Sequence, residues 1–163
     1  SCQQYANRVI RMGEDPSTVF NVGGLGDENL RTMPKMTAQE LAKSLNFDVT
    51  KPFGLVTFHP ETAGEAEPIS QMDALLWAME TVSEQTGLRW LITKSNADAG
   101  GLDINQRIDD WTKQHRRYAA AFTSLGVVRY LSAMNLAALV AGNSSSGMVE
   151  TPTMGVPTVN IGD

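Results

Sequence analysis

The sequence predicts an α/β protein with a Rossmann-like parallel sheet of about six strands and helices on both faces. Two observations lead to this prediction. Short apolar runs alternate with amphipathic segments along the 163 residues. The runs are also apolar throughout instead of at every second residue, which indicates strands buried on both sides. Such strands belong to parallel sheets with right-handed helical crossovers.

Each predicted strand is bounded by Gly, Pro, Asn or Ser, which commonly end strands. In chain order, the predicted strands cover residues 18–22, 54–58, 89–93, 119–122, 139–141 and 156–161. No internal repeat interrupts this order.

The segments between the strands predict amphipathic helices. Residues 1–13 already have a helical pattern, and three capping-box patterns mark later helix starts: Thr37 with Glu40, Ser70 with Asp73, and Asp103 with Gln106. Apolar residues recur at helical spacing in two of these helices: Met72, Leu75, Leu76, Met79 and Val82 in one, and Ile104, Ile108 and Trp111 in the other. We expect both stripes to pack on the sheet.

Composition and charge restrict the functions open to this chain. With 42% hydrophobic residues, the chain has enough apolar mass for one domain over residues 1–163. The net charge of -5 argues against nucleic acid or an anionic membrane as a partner. The single Cys2 excludes an internal disulfide, and no Cys and His spacing predicts a metal site. The absence of a signal peptide pattern favours a cytoplasmic location.

Ligands of open parallel sheets bind at the edge where all the strands have their carboxyl ends. Five segments are predicted to meet there, namely residues 23–29, 59–67, 94–101, 123–126 and 143–147. Four of them are rich in glycine or polar residues, so this edge is the predicted site.

The run NSSSGMVE at residues 143–150 is the most informative of these segments. Ser144, Ser145, Ser146 and Gly147 lie where an apolar strand passes into a helix, and the free N–H groups of a helix start bind anions. Glu150 follows one to two turns later, where its carboxylate can accept hydrogen bonds from two neighbouring hydroxyls, as on a ribose. The alternative is a serine N-cap followed by a solvated glutamate.

His59 lies directly after the second predicted strand. Pro60 biases His59 toward an extended conformation, so that the imidazole projects from a stiff turn and suits a phosphate partner or a proton donor. The alternative is a histidine that satisfies loop carbonyls. The other histidine, His115, lies in the run KQHRR at a helix end and is interpreted as part of a solvated cap.

Two further loops carry weaker signals. Asn96 and Asp98 in the run NADAGG can contact a sugar hydroxyl, although such residues are also common turn formers. The run GGLG at residues 23–26 lacks the third glycine of the dinucleotide fingerprint, so NAD binding is not supported. No cofactor is therefore predicted.

Six segments in this order resemble the UDP-N-acetylglucosamine 2-epimerase family: VFNVGGLGDENL, GLVTFHPET, NADAGG, SLGVVRYLSAM, GNSSSGMVETP and GVPTVNIGD. The His-Pro pair and the Ser-rich turn with its following Glu resemble the hydrolysing branch, whose sialic-acid pathway enzymes release N-acetylmannosamine and UDP. The non-hydrolysing branch typically has a His-Arg-Arg-Glu-Asn run and a Ser-Gly-Gly turn, and neither occurs here.

The resemblance implies one half of a two-domain enzyme of the glycosyltransferase-B arrangement. This chain resembles the carboxyl-terminal, UDP-binding half, truncated at both ends, and the complete enzyme is expected to be a homodimer acting on a UDP-sugar. There a base removes a proton from the second sugar carbon, UDP is eliminated, and water converts the unsaturated sugar to the free epimer. The acidic residues for these steps belong to the absent amino-terminal domain, so the chain alone is expected to be inactive.

The resemblance also implies roles for individual residues. The diphosphate would be held by the Ser144 and Ser145 hydroxyls and the amides of Ser146 and Gly147, and the ribose by Glu150. His59 would face the phosphates as a cation or proton donor. The uracil pocket would be formed by Leu125, Gly126 and Tyr130, with Asn96 and Asp98 nearby.

Three alternatives remain open at this point. A non-hydrolysing UDP-sugar 2-epimerase and a nucleotide-sugar glycosyltransferase share the architecture and the helix-start diphosphate site. A receiver-type regulatory domain is disfavoured, because Gly23, Gly24 and Lys94 occupy the strand ends where its acidic residues would lie.

Overall fold

The computed structural model describes residues 2–60, 67–96 and 100–162. The chain divides into two compact units, Ser1–Pro34 and Lys35–Asp163. The first unit contains helix α1 (Gln3–Arg11), a 3-10 turn (Pro16–Thr18) and helix α2 (Leu25–Thr32). The helix predicted at the start of the chain is thus confirmed.

The strand predicted at residues 18–22 is wrong. Asp15 accepts a hydrogen bond from the Ser17 N–H at 2.8 Å and starts the 3-10 turn instead. Phe20 and Val22 are 76% and 72% exposed, and this segment pairs with no strand in the described ranges. A short apolar run forms a strand only when a neighbour satisfies its backbone groups, and here none does. The segment 23–29 was predicted to follow this strand at the sheet edge, but residues 25–29 belong to α2 and residues 23–24 precede it.

The second unit is built on a parallel sheet with five strands in its described residues. The strands are β1 (Phe53–Thr57), β2 (Arg89–Thr93), β3 (Ala119–Phe122), β4 (Leu139–Gly142) and β5 (Thr158–Asn160). Their order is β3-β2-β1-β4-β5, and all neighbours are parallel. The other five predicted strands are confirmed, the last of them shorter than expected. The Rossmann-like α/β class is therefore confirmed, with five strands instead of six.

Helices cover both faces of this sheet. The second unit has α3 (Ala38–Leu45), α4 (Pro68–Thr86), α5 (Gly101–Gln114), α6 (Gly126–Leu136) and α7 (Ser146–Met154). Buried residues of α3 and α6 share one apolar cluster with the sheet, and those of α4 and α5 share another. Strand β1 contributes alternate side chains to the two clusters, which is why its sequence is apolar throughout. In the described ranges, no helix is long and apolar enough to cross a bilayer.

Both predicted apolar stripes face the core. Met72, Leu76 and Met79 of α4 are buried, while Leu75 and Val82 are partly buried against the same cluster. In α5, Ile104 and Ile108 are buried and Trp111 packs beside them.

One of the three predicted capping boxes is present. The Thr37 hydroxyl accepts the Glu40 N–H, and the Glu40 carboxylate accepts the Thr37 N–H at 2.8 Å. The other two predicted helix starts are wrong, because α4 begins at Pro68 and α5 at Gly101. Pro is favoured at the first helical position, and an acid such as Asp103 is equally favoured inside the first turn, where it interacts with the helix dipole.

Strands β1 and β4 approach each other closely where β4 ends. Gly142 pairs with Thr57 and has a φ of 136°, and a Cβ at Gly142 would lie 1.8 Å from the Thr57 carbonyl oxygen. Only glycine fits this position, since any side chain would force the two strands apart.

We expect Gly142→Ala to destabilise the fold by about 3 kcal/mol, because it adds a backbone clash to an unfavourable φ. Gly155→Ala is the matched control. Gly155 also has a positive φ, of 69°, but no atom lies within 4 Å of its Cβ position, so we expect a loss of about 1 kcal/mol. Urea denaturation measures both, and equal losses would contradict the close approach.

The capping box gives α3 a pH-dependent contribution to stability. The Thr37 N–H, and then its hydroxyl, lower the pKa of Glu40 below its usual 4.5 by donating to its carboxylate. A lowered pKa stabilises the fold above pH 4.5, and this contribution is lost as the pH falls through the folded-state pKa.

We therefore expect Glu40→Gln to be less stable than the original chain at neutral pH, with the difference vanishing in acid. Thermal unfolding between pH 7 and pH 3 measures it. In a Thr37→Ala background, which lacks the donating hydroxyl, the same comparison should show a smaller pH-dependent difference. A difference that is constant with pH would contradict this role of the carboxylate.

Candidate functional site

Three adjacent strands bring the candidate site together at their carboxyl ends. Strand β1 lies between β2 and β4. His59 follows β1, Ser95 and Asn96 follow β2, and Asn143 follows β4. Segments that are far apart in sequence therefore meet at this edge, as the parallel sheet predicts.

The His59 ring faces the loop after β2. Its Nδ1 accepts the Asn96 N–H at 3.2 Å, and the buried Ser95 hydroxyl lies 3.5 Å from the same nitrogen. Asn96, predicted as a neighbour of the cleft, is thus placed beside His59. Asp98, predicted with it, lies outside the described residues.

The His59 backbone is held from the other side by Asn143. The Asn143 Oδ1 accepts the His59 N–H at 2.8 Å, and its Nδ2 donates to the His59 carbonyl at 2.8 Å. The sequence analysis assigned no role to Asn143, because its partner is 84 positions away. The only feature of the sequence that pointed to Asn143 was its place shortly after a predicted strand.

Asn105 of α5 holds the neighbouring loop in the same way. Its Oδ1 accepts the Ser95 N–H at 2.8 Å, and its Nδ2 donates to the Ser95 carbonyl at 3.1 Å. Two asparagine side chains therefore fix the backbone on either side of the imidazole. Sequence reasoning missed both, since asparagine in a helix or a turn carries no specific pattern.

The Ser-rich turn starts helix α7. Ser145 occupies the N-cap position, yet its side chain makes no capping hydrogen bond. Within the described ranges, the Ser145 N–H has no acceptor, and the Ser146 N–H has only the Ser144 hydroxyl at 3.4 Å. The Gly147 N–H is bonded within the turn, to the Ser144 carbonyl at 3.0 Å. The turn thus presents N–H and hydroxyl donors at the positive end of a helix dipole.

Glu150 lies in the next turn of α7. Its Oε2 is buried and has no hydrogen-bond partner in the described part of the chain. Thr151 beside it is fully buried, and its hydroxyl donates to the Gly147 carbonyl at 2.6 Å and accepts from Thr158 of β5 at 2.7 Å. The helix around Glu150 is therefore fixed, while one carboxylate oxygen remains an unused acceptor.

The loop before α6 is largely bonded to itself. The Gly126 N–H donates to the Ser124 hydroxyl at 3.1 Å, and the Leu125 carbonyl accepts from Arg129 Nε at 2.7 Å. Leu125 is buried, and Tyr130 is partly buried against the apolar cluster on the α3 and α6 face. These residues lie after β3, at the edge of the sheet.

The sequence predicts that His115 is part of a solvated cap, and this prediction is wrong. Its side chain is 16% exposed, its Nδ1 lies 2.8 Å from the Trp111 carbonyl, and its Nε2 lies 3.1 Å from Glu80 of α4. The packing of α4 against α5 partly buries the ring, which the local sequence could not reveal. Burial, with Glu80 and Glu84 nearby, raises the pKa of the adjacent Tyr118.

Other charged groups near the strand ends have structural partners. The Lys94 ammonium lies 2.7 Å from the Asp109 carboxylate. Across the residues that the structure describes, no group of three or more His, Cys, Asp or Glu side chains could hold a metal ion.

Sequence comparison identifies related proteins over the whole chain. The model of the UDP-N-acetylglucosamine 2-epimerase family matches residues 1–163. The chain is 33% identical to a GDP/UDP-N,N'-diacetylbacillosamine 2-epimerase (hydrolyzing) of Campylobacter jejuni, covering 98% of the chain and 41% of that protein. It is 35% identical to a polysialic acid biosynthesis protein of Escherichia coli, covering all of the chain and 40% of that protein. The chain thus spans about two fifths of these relatives.

Solved structures share the fold. The UDP-GlcNAc 2-epimerase from Neisseria meningitidis, bound to UDP-GlcNAc, has a TM-score of 0.66 at 10% identity and matches 97% of this chain and 42% of its own. The UDP-GlcNAc 2-epimerase from Methanocaldococcus jannaschii has a TM-score of 0.66 at 14% identity and matches 98% and 44%. With the family model matching every residue, the chain belongs to the UDP-N-acetylglucosamine 2-epimerase family.

Proposed function

We propose that this chain is the UDP-binding part of a hydrolysing UDP-N-acetylglucosamine 2-epimerase, which produces N-acetylmannosamine and UDP. The observation that carries the proposal is the convergence of His59 with the donor-rich start of α7 at one edge of the sheet. A histidine, free N–H groups and an unpaired carboxylate oxygen together suit a nucleoside diphosphate.

The diphosphate would lie at the start of α7. The Ser145 and Ser146 N–H groups and the hydroxyls of the turn would donate to its oxygens, with the helix dipole adding a favourable interaction. The net charge of -5 makes a local site of this kind necessary, since the chain as a whole repels anions.

The ribose would lie over Glu150. Oε2 has no partner among the described residues, and a rotation of the partly buried Glu150 side chain would let it accept a hydrogen bond from a ribose hydroxyl. The carboxylate would repel a phosphate at the same place, so Glu150 also orients the nucleotide. Uracil would then reach the loop of Leu125 and Gly126, with Tyr130 behind it.

His59 would contact the diphosphate near its bond to the N-acetylglucosamine. During catalysis, negative charge builds up on UDP as the bond to the sugar breaks, and a donor held in place stabilises that charge. We assign the proton abstraction at the second sugar carbon to an amino-terminal domain, so that closure of the two domains would gate the reaction. The chain alone would bind UDP without turnover.

The hydrolysing reaction is favoured by the names of the relatives. The Campylobacter jejuni protein and a Legionella pneumophila UDP-N,N'-diacetylbacillosamine 2-epimerase, 25% identical, are both described as hydrolyzing. A diacetamido sugar is therefore a second candidate substrate. The UDP-N-acetylglucosamine 2-epimerase of Neisseria meningitidis is 26% identical, and its name does not specify hydrolysis. The non-hydrolysing reaction is therefore the alternative.

We expect UDP to bind this chain at least about tenfold more tightly than UMP, because only UDP spans both phosphate positions at the start of α7. NAD should show no comparable binding. Isothermal titration calorimetry measures all three. An equal affinity for UDP and UMP would contradict a diphosphate site.

We expect Glu150→Ala to weaken UDP binding by about tenfold, the usual cost of losing a charged hydrogen bond. Pyrophosphate has no ribose, so its affinity should stay within about twofold. Glu84→Ala, which removes an exposed glutamate of α4, is the matched control for the change in net charge. Equal losses for UDP and pyrophosphate would refute the ribose role.

A further inference from the structure

We propose that Asn143 is a positioning residue that holds His59 as the Nε2–H tautomer, so that His59 meets a phosphate with its Nε2–H as the hydrogen-bond donor. This inference rests on the proposed function, and it concerns how the imidazole is prepared for its ligand. It adds to the expected role of His59 the ring nitrogen that faces the ligand, which is Nε2.

The first step is the clamp on the His59 backbone. The His59 N–H can only donate and its carbonyl can only accept, so the Asn143 amide has one orientation that satisfies both contacts, each 2.8 Å long. Asn143 is itself anchored, because its own N–H donates to the Thr57 carbonyl at 3.2 Å. A side-chain amide thus continues the pairing of β1 with β4 by one more residue.

The second step is the assignment of the ring hydrogen. The Asn96 N–H points at Nδ1 from 3.2 Å, and a backbone N–H is always a donor. Nδ1 must therefore present its lone pair, which leaves the hydrogen on Nε2.

The third step concerns the donor that sets the tautomer. Asn105 bonds to both the N–H and the carbonyl of Ser95, and the Ser95 carbonyl belongs to the peptide unit that carries the Asn96 N–H. The position of that donor is therefore fixed from α5, while the position of the ring is fixed from β4. Moving either side by about 1 Å would break the contact at Nδ1.

The consequence is a donor on Nε2 of His59 that the described residues leave without a partner. An N–H held in one orientation can donate to a phosphate oxygen without reorganisation as charge develops on the leaving group. Through this hydrogen bond, His59 would stabilise the negative charge that develops on UDP.

Nitrogen NMR of the labelled imidazoles tests the tautomer directly. The chain has only two histidines, and His115→Gln assigns the remaining signals to His59. We expect a protonated Nε2 and a bare Nδ1 in the ligand-free chain. At a pH where the ring carries one hydrogen, finding that hydrogen on Nδ1 would overturn the assignment.

Asn143→Ala tests the clamp. We expect the His59 signals to become those of mixed tautomers and the UDP affinity to fall by about tenfold. Asn135→Ala removes an exposed asparagine of α6 and is the matched control, with both readouts unchanged. A single Nε2–H tautomer together with an unchanged UDP affinity in Asn143→Ala would overturn the positioning role.

A second variant and a ligand-free readout make the test of the clamp independent of the folding of Asn143→Ala and of UDP binding. If Asn143→Ala does not fold, Asn143→Asp has nearly the same volume but replaces the donor to the His59 carbonyl with a carboxylate oxygen that repels it, and mixed tautomers are again expected. The NMR experiment needs no ligand. A wild-type chain that does not bind UDP therefore contradicts the proposed function, while the tautomer still decides on the clamp.

Discussion

The close pairing of β1 with β4 is the constraint on which the candidate site depends. The Thr57 carbonyl lies against Gly142, where no side chain fits, and then accepts the N–H of Asn143. This contact sets the distance between the two loops that follow. His59 and the start of α7 lie on the same edge because their strands are neighbours in the sheet, although more than 80 residues separate them. The order of the strands in the sheet, more than the sequence of any loop, brings the site residues together.

Beyond the strand ends, side-chain amides replace the strand ladder. Asn143 and Asn105 each bond to the N–H and the carbonyl of a single residue, which is how a neighbouring strand would satisfy that residue. Backbone groups near a buried edge need such partners, since leaving them unpaired costs free energy. In this chain the same hydrogen bonds that satisfy the loops also fix the histidine. Stability and preorganisation of the site therefore have one physical origin.

Helix α7 combines a fixed end with unused polar groups. The Thr151 hydroxyl joins the helix to β5, while the described residues offer no partner to the Ser145 N–H or to the buried oxygen of Glu150. In a well-packed protein such unpaired groups are few, and they commonly mark places where a ligand completes the hydrogen bonding. The Ser145 N–H at the start of α7 is suited to the phosphate of a nucleotide, and the Glu150 carboxylate one turn later is suited to its ribose.

The sequence by itself determined the fold class, five of the six predicted strands and both apolar helix stripes, because continuous apolar runs and helical periodicity are local consequences of burial. It also pointed to the edge that carries His59 and the Ser-rich turn. Only the tertiary structure decided that residues 18–22 form no strand, that His115 is partly buried and contacts Glu80 of α4, and that Asn143 and Asn105 hold the imidazole loop. Each of these depends on a partner distant in the chain, and a hydrogen bond or a strand pair across such a distance leaves no periodic signal in the residues around it.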